Sequence, residues 1–376
     1  LRLKMVKLSH TTFKKINVVS ISFLVTVGIL LNLSASSVIG LNKYNDNFHF
    51  IKRHIGGIIL GLIIYNIGKK LSKDYYKKLA SYGMLSITGI LFLVLTYGVV
   101  MGGSRRWIDL GSINFQPSEF AKPIIILYIA YHLSNIEIDK SDYYILKKAL
   151  GFPALSALLV LLEPDFGTTL TISGIILFQL LFSEIKLRYP LSIIALSPIP
   201  TYLAINVMGY RNKRFTIWYE KICEGTDISA ELLADQCYQI FQSKVAISSG
   251  GLFGLGPGTS RARWGSLPNS WTDFVASIAA EEYGFFGLLL LIIGLFSLII
   301  SFFGLGLTSK NEFTRLMFVG MGSWVLIQTV FNLGGIVGLL PITGIVLPFV
   351  AYGSSAMVSI FIGLTIAYAK DSKEDL

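Results

Sequence analysis

Residues 146–183 read LKKALGFPALSALLVLLEPDFGTTLTISGIILFQLLFS. Two lysines open the run, and two acids, Glu163 and Asp165, interrupt it around Pro164. The rest is apolar, small or uncharged. Proline continues a helix only at high cost, and paired carboxylates do not sit in lipid. A tight turn at Glu163-Pro164-Asp165 therefore divides the run into two segments. Each approaches the ~20 residues a helix needs to cross ~30 Å of hydrocarbon. Two adjacent antiparallel spans make this a polytopic membrane chain.

Working outward, further apolar stretches lie near residues 17–35, 54–68, 80–101, 118–134, 189–208, 284–307, 314–337 and 345–369. With the pair around Pro164 they predict an all-α fold of ten transmembrane helices. Only 14% of the 376 residues are charged, against about 25% in soluble domains. Soluble, disordered and fibrous classes are thereby excluded. The first stretch is too long for an ordinary signal core and reads as an uncleaved signal-anchor, with Met5 as a candidate start. No repeat interrupts residues 1–376, which read as a single integral membrane domain.

The charges set the orientation. Nineteen of the 32 basic residues fall on one face if ten helices alternate, from Arg2, Lys4 and Lys7 through Lys69, Lys70 and Lys147 to Lys370. The positive-inside rule makes that face cytoplasmic, with both termini on it. The net charge of +10 is thus a membrane signal, and no nucleic-acid partner is expected. There is no Walker loop, dinucleotide fingerprint or histidine cluster with metal-ligand spacing, so no nucleotide or organic cofactor is expected.

The unusual chemistry lies on the other face. Its segments are residues 102–118, the turn 163–166, the large extracytoplasmic loop 209–283 between helices 7 and 8, and the turn 338–344. Asp165 reads either as a cap for the following helix or as a functional carboxylate. Glu119 and Lys122, three apart, share a helix face. They form either an ion pair that eases entry into the bilayer or a polar wall on an outward cavity. Arg105 and Arg106 suit phosphate, or snorkel at the interface. Gly250, Gly251, Gly254, Gly256 and Gly258 make a glycine-rich loop, and Asp273, Glu281 and Glu282 enter helix 8. Cys223 and Cys237 in the large loop are either bonded or free and buried.

Four segments together resemble one family. They are GGSRRWIDLGSINFQPSEFAK, LLEPDFGTTL, YQIFQSKVAISSGGLFGLGPGTS with LPNSWTDFVASIAAEEYGFFG, and NLGGIVGLLPITGIVLPFVAYGSSAMVS. In order and topology they are similar to the FtsW/RodA/SpoVE (SEDS) proteins, from about residue 100 to 365. The YQ…QSKVAISSGG…GPG run resembles FtsW more than RodA. Three departures stand out: Asn269 and Trp271 replace an acid and a histidine, AYGSSA replaces SYGGSS, and Gly102 replaces an asparagine.

The resemblance implies a peptidoglycan glycosyltransferase in the bacterial cytoplasmic (inner) membrane. It would polymerise lipid II into a growing glycan strand on the outer face, in cell division or shape maintenance. The implied partners are a class B penicillin-binding protein (a transpeptidase) and other divisome or elongasome proteins. Asp165 would be the essential carboxylate, acting as a base or as a ligand of magnesium or manganese. Arg105, Arg106, Glu119, Lys122, Arg211 and Arg214 would meet substrate and pyrophosphate. Gly256, Gly258, Ser260, Asp273 and Glu281 match the family's loop motif. Pro341, Gly344, Pro348, Tyr352, Gly353 and Ser354 match its C-terminal signature. The alternatives are a lipid II flippase, which needs polar groups on both faces and at the midplane, and a non-catalytic divisome scaffold.

Overall fold

The computed structural model describes residues 8–101, 104–109, 111, 114–135, 141–197, 218, 223 and 237–371. Among them are eleven α-helices. The first seven are α1 (His10–Tyr44), α2 (His49–Gly68), α3 (Lys73–Tyr97), α4 (Pro117–Ser134), α5 (Asp142–Leu162), α6 (Phe166–Leu181) and α7 (Arg188–Leu196). The remaining four are α8 (Tyr238–Ser249), α9 (Val275–Thr308), α10 (Glu312–Val337) and α11 (Ser354–Ala367). Oxygen-bearing side chains open several of them. Ser9, Ser72, Ser141, Asp165 and Asn311 each accept a first-turn N–H, satisfying a donor that the helix itself leaves free.

Six helices, α1, α2, α3, α5, α9 and α10, are long and apolar enough to cross a membrane. The chain is a multi-pass membrane protein. Its most enclosed elements include α4, α10 and α11, with Lys122 fully buried and Trp324 1% exposed. Around them α1 packs on α9, α2 on α11 and α3 on α4.

Successive helices run in alternate directions and define two ends. Both ends of the described chain lie together. His10 Nδ1 is 2.9 Å from Thr308 Oγ1 at the close of α9. The Lys73 N–H donates to the Lys370 carbonyl at 2.9 Å. The opposite end carries the Glu163-Pro164-Asp165 turn, the α1–α2 turn, α8 and the segment between α10 and α11.

Several expectations change. In a three-stranded antiparallel sheet, β1 (Val99–Met101) takes the end of the stretch read as the span 80–101, and β2 (Ser104–Asp109) and β3 (Asn114–Phe115) lie in the segment 102–118 read as loop. The apolar stretch 345–369 is helical only from Ser354 to Ala367. Pro341 and Pro348 cannot donate to a helical ladder, and residues 339–353 run irregularly at the Asp165 end. The large loop is partly structured: it contains α8, a 3₁₀ turn at Ala262–Trp264, and the first turns of α9 before a kink at Gly284. Of the helix expected near 229–248, the described part is α8. Of the span expected at 189–208, it is α7.

Candidate active site

Asp165 stands at the N-cap of α6. Its Oδ1 accepts the Thr168 N–H at 3.0 Å, so the capping expectation holds. Its Oδ2 lies 3.5 Å from Arg106 Nη1, and the aspartate side chain is only 5% exposed. The sheet explains how Arg106 arrives. Alternation along β2 turns neighbouring side chains to opposite faces, so Arg105 and Arg106 part company. Arg105 donates to the Leu95 and Thr96 carbonyls at 3.3 and 3.1 Å. Arg106 donates to the carbonyls of Glu163 and Pro164. One guanidinium therefore spans the whole turn, and the other ties the sheet to α3.

Glu163 is 1% exposed, and among the described residues neither of its carboxyl oxygens has a hydrogen-bond partner. Burial, then the charge of Asp165, pushes its pKa up to about 8, with Arg106 opposing. Near neutrality Glu163 holds its proton, which leaves Arg106 to Asp165.

Glu119 and Lys122 form the expected ion pair, Oε1 to Nζ at 2.7 Å, within the bundle. Lys122 also sits 4.9 Å from the centroid of the Trp324 ring. Glu119 and Trp324 line a small cavity with Gln328, Pro348 and Gly353. The ion-pair alternative is thus met, and of the two side chains only Glu119 lines the cavity. Nothing in the described contacts joins it directly to Asp165.

The C-terminal signature lies between two carboxylates. Gly167, two residues beyond Asp165, has no room for a side chain: a Cβ there would stand 2.6 Å from Ile345 Cγ1 and 2.9 Å from the Thr343 carbonyl oxygen. On the other side, Asp273 Oδ2 is 3.7 Å from where a Cβ on Gly344 would be, and Gly344 has φ +73°. Asn332 Nδ2 donates to the carbonyls of Asp273 and Ile345, both at 2.8 Å. Asp273 is half-buried and lines a second small cavity with Asn332, Thr343 and Gly344. The first turn of α6, residues 343–345 and Asp273 therefore form one assembly.

Other expected residues are structural. Glu281 accepts from Ser260 Oγ at 2.5 Å and from the N–H groups of Arg261 and Ala262 at 3.0 and 3.2 Å. It thereby anchors the 3₁₀ turn to α9. The Gly256 N–H donates to the Glu282 carbonyl at 3.0 Å, and Gly258 follows with φ +76°. The Tyr352 N–H donates to the Trp271 carbonyl at 3.0 Å, and Ser354 Oγ donates to the Arg53 carbonyl at 3.0 Å. Pro341 lies in the irregular segment after α10. Cys223 and Cys237 are joined by a disulfide. Arg211 and Arg214 lie outside the described residues.

Asn332 was missed in the sequence. Its signal was a carboxamide in the apolar run of α10, one turn beyond Gln328, since a polar side chain at membrane depth needs partners. A divalent ion at Asp165 finds little support. Among the described residues no three His, Cys, Asp or Glu side chains group as metal ligands. The Asp165 oxygens are already engaged by a backbone N–H and a guanidinium. These residues do not make a protein cage for a metal.

The fold and site define a class: a multi-pass helical membrane protein with ionisable groups converging at one end of the bundle. The chain belongs to the FtsW/RodA/SpoVE family of cell cycle proteins, whose profile matches residues 15–374. It is 33% identical over 365 residues to a probable peptidoglycan glycosyltransferase FtsW of Hydrogenovibrio crunogenus, covering 94% of this chain and 90% of the relative. It is 33% identical over 368 residues to the Coxiella burnetii protein of the same description, covering 93% and 94%.

Among solved structures, it resembles a chain from a study of how a peptidoglycan synthase complex coordinates polymerisation and crosslinking. There the TM-score is 0.70 and the identity 26%, over 93% of this chain and 95% of that one. Rod shape determining protein RodA of Thermus thermophilus gives a TM-score of 0.66 at 25% identity, over 93% and 94%.

Proposed function

We infer that this chain is a peptidoglycan glycosyltransferase that polymerises lipid II, in cell division or shape maintenance. The named relatives support the activity. The geometry supports a site at the Asp165 end, and one observation carries it: residues 343–345 are held between the Arg106–Asp165 pair and Asp273. We place that end outside the cytoplasmic membrane, with ten spans and both termini inside. The Cys223–Cys237 disulfide favours an oxidising exterior for this end, as does the basic residue bias of the other.

The reaction joins two lipid-linked sugars. The 4-hydroxyl of one attacks C1 of the other, the bond from C1 to the pyrophosphate oxygen breaks, and the hydroxyl proton passes to a carboxylate. An alcohol needs such a base within hydrogen-bond reach. Asp165 is the base in the first reading. Arg106 then turns from Asp165 toward the departing pyrophosphate, whose charge a guanidinium meets bidentately.

A second reading is favoured by exposure and lining. Asp273 is the more accessible carboxylate and lines a cavity, so it takes the proton while Asp165 holds Arg106 in place. Purified Asp165→Asn and Asp273→Asn, each given labelled lipid II, separate the two. The base variant loses about 10²–10⁴-fold in rate, and the other loses less. If both polymerise at the parental rate, neither reading stands.

Glu119 lines the inner wall of the cavity in this reading, with Lys122 paired behind it, and Arg211 and Arg214 are further candidates for the pyrophosphate. A class B penicillin-binding protein is the proposed partner, together with divisome or elongasome proteins. Magnesium or manganese, if used, is carried on the substrate's pyrophosphate, since hard cations bind phosphates with few protein ligands. Chelation should then lower the rate without lowering the melting temperature.

A further inference from the structure

We propose that Phe50, Trp271 and Tyr352, with Arg53 at their edge, form a ledge that binds the growing strand of amino sugars beside the reacting end. This rests on the glycosyltransferase reading above.

Three separate parts of the chain supply the rings. Phe50 comes from the first turn of α2, Trp271 from the loop before α9, and Tyr352 from the segment before α11. The Phe50 ring centroid is 5.6 Å from that of Trp271 and 5.3 Å from that of Tyr352. Tyr44 and His49 extend the cluster, stacked at 3.8 Å, and Phe50 meets both edge-on. Phe50, Trp271 and Tyr352 are half-buried, and Tyr44 and Arg53 are exposed, so the rings offer surface to a ligand.

The ledge is continuous with the candidate site. Trp271 is two residues from Asp273, and its carbonyl accepts the Tyr352 N–H at 3.0 Å. The same loop and the same signature segment that form the Asp273 cavity therefore carry two of the three rings.

The polar groups at the ledge match one ligand. The Arg53 carbonyl accepts the Ser354 hydroxyl at 3.0 Å, which sets Arg53 beside the Tyr352 segment. His54, fully buried, lies 6.1 Å ring to ring from Tyr352, and among the described residues neither of its nitrogens has a hydrogen-bond partner. A pyranose ring presents a face of C–H groups that packs on aromatic surface, and its hydroxyls need donors and acceptors. A strand whose alternate sugars carry carboxylate-bearing peptides adds negative charge for Arg53. An interfacial aromatic belt would require neither the guanidinium nor the tie to the Asp273 loop.

The test uses the full-length protein in nanodiscs and calorimetry with two unlinked sugars. One is an N-acetylglucosamine–N-acetylmuramic acid tetrasaccharide; the other is chitotetraose, which lacks the carboxylates. Trp271→Ala should weaken both by about 3- to 10-fold, Trp271→Phe should keep both, and Arg53→Gln should weaken only the charged one. On labelled lipid II, Trp271→Ala should give shorter strands. The ledge is overturned if every variant binds both sugars as the parent does, or if a parent that polymerises lipid II binds neither sugar. A parent that binds the tetrasaccharide but makes no polymer refutes the enzymatic reading and leaves the ledge standing.

Discussion

Arg106 on β2 and Asp165 at the N-cap of α6 face each other, with Nη1 and Oδ2 3.5 Å apart. The aspartate contributes its other oxygen to the Thr168 N–H. It therefore has two separable duties, one toward the helix and one toward the guanidinium.

Asparagine caps a helix about as well as aspartate, whereas alanine costs roughly 0.5–2 kcal/mol. Asp165→Asn should therefore keep the parental melting temperature, and Asp165→Ala should lower it. In the first reading both should lose lipid II polymerisation. Equal melting temperatures for parent and Asp165→Ala would show that the cap does not contribute.

Glu163 gives a pH dependence with a definite sign. Its folded pKa, pushed up to about 8 by burial, lies above the unfolded value, so the folded protein binds the proton more strongly. Its stabilising effect is full below the unfolded carboxylate range and is lost as pH rises through about 8. Glu163→Gln cannot ionise. Its melting temperature should fall less steeply than the parent's between pH 5 and 9, as scanning calorimetry would show; parallel slopes would mean that Glu163 is not held neutral.

Breaking the buried Glu119–Lys122 pair leaves one charge without its partner. Lys122→Met should destabilise by about 3–5 kcal/mol. Glu119→Gln in the same chain removes the stranded charge and should recover most of that loss. Thermal unfolding of the two single variants and the double variant completes the cycle; additive losses would show that the two side chains are not coupled.

Asn332 holds two backbone carbonyls from opposite sides of the signature segment. Asn332→Leu leaves both without this donor, at a cost of about 1–3 kcal/mol for each acceptor left unsatisfied. The expected result is a lower melting temperature together with slower polymerisation, because Asp273 and residues 343–345 lose their common tie. A folded variant with the parental rate would remove Asn332 from the site.

Much was legible before any coordinates. Pro164 between two acids could only mean a turn at a membrane boundary, and the turn is there. Glu119 and Lys122, three residues apart, had to share a helix face, and they pair. The sheet was not legible. Its strands are short, and the contact that matters, Arg106 to the Glu163 turn, joins residues far apart in the chain. The irregular segment 339–353 was read partly as helix, because its residues are apolar enough for a span. Its two prolines hinted otherwise, but the hydrogen bonds that make such a backbone tolerable come from elsewhere, including the carboxamide of Asn332.

By itself, the sequence determined that this chain lives in a membrane, which loops carry charge, and that basic residues gather at one end while Glu163, Asp165 and Asp273 fall at the other. Those properties follow from the cost of placing charge in hydrocarbon, which each segment meets locally. Only the tertiary structure decided which charges meet. It separated Arg105 from Arg106, brought Asp273 to Gly344, and gathered two distant rings, Trp271 and Tyr352, around Phe50. Such pairings depend on how helices pack and where a strand turns its side chains, and no local stretch of sequence carries that information.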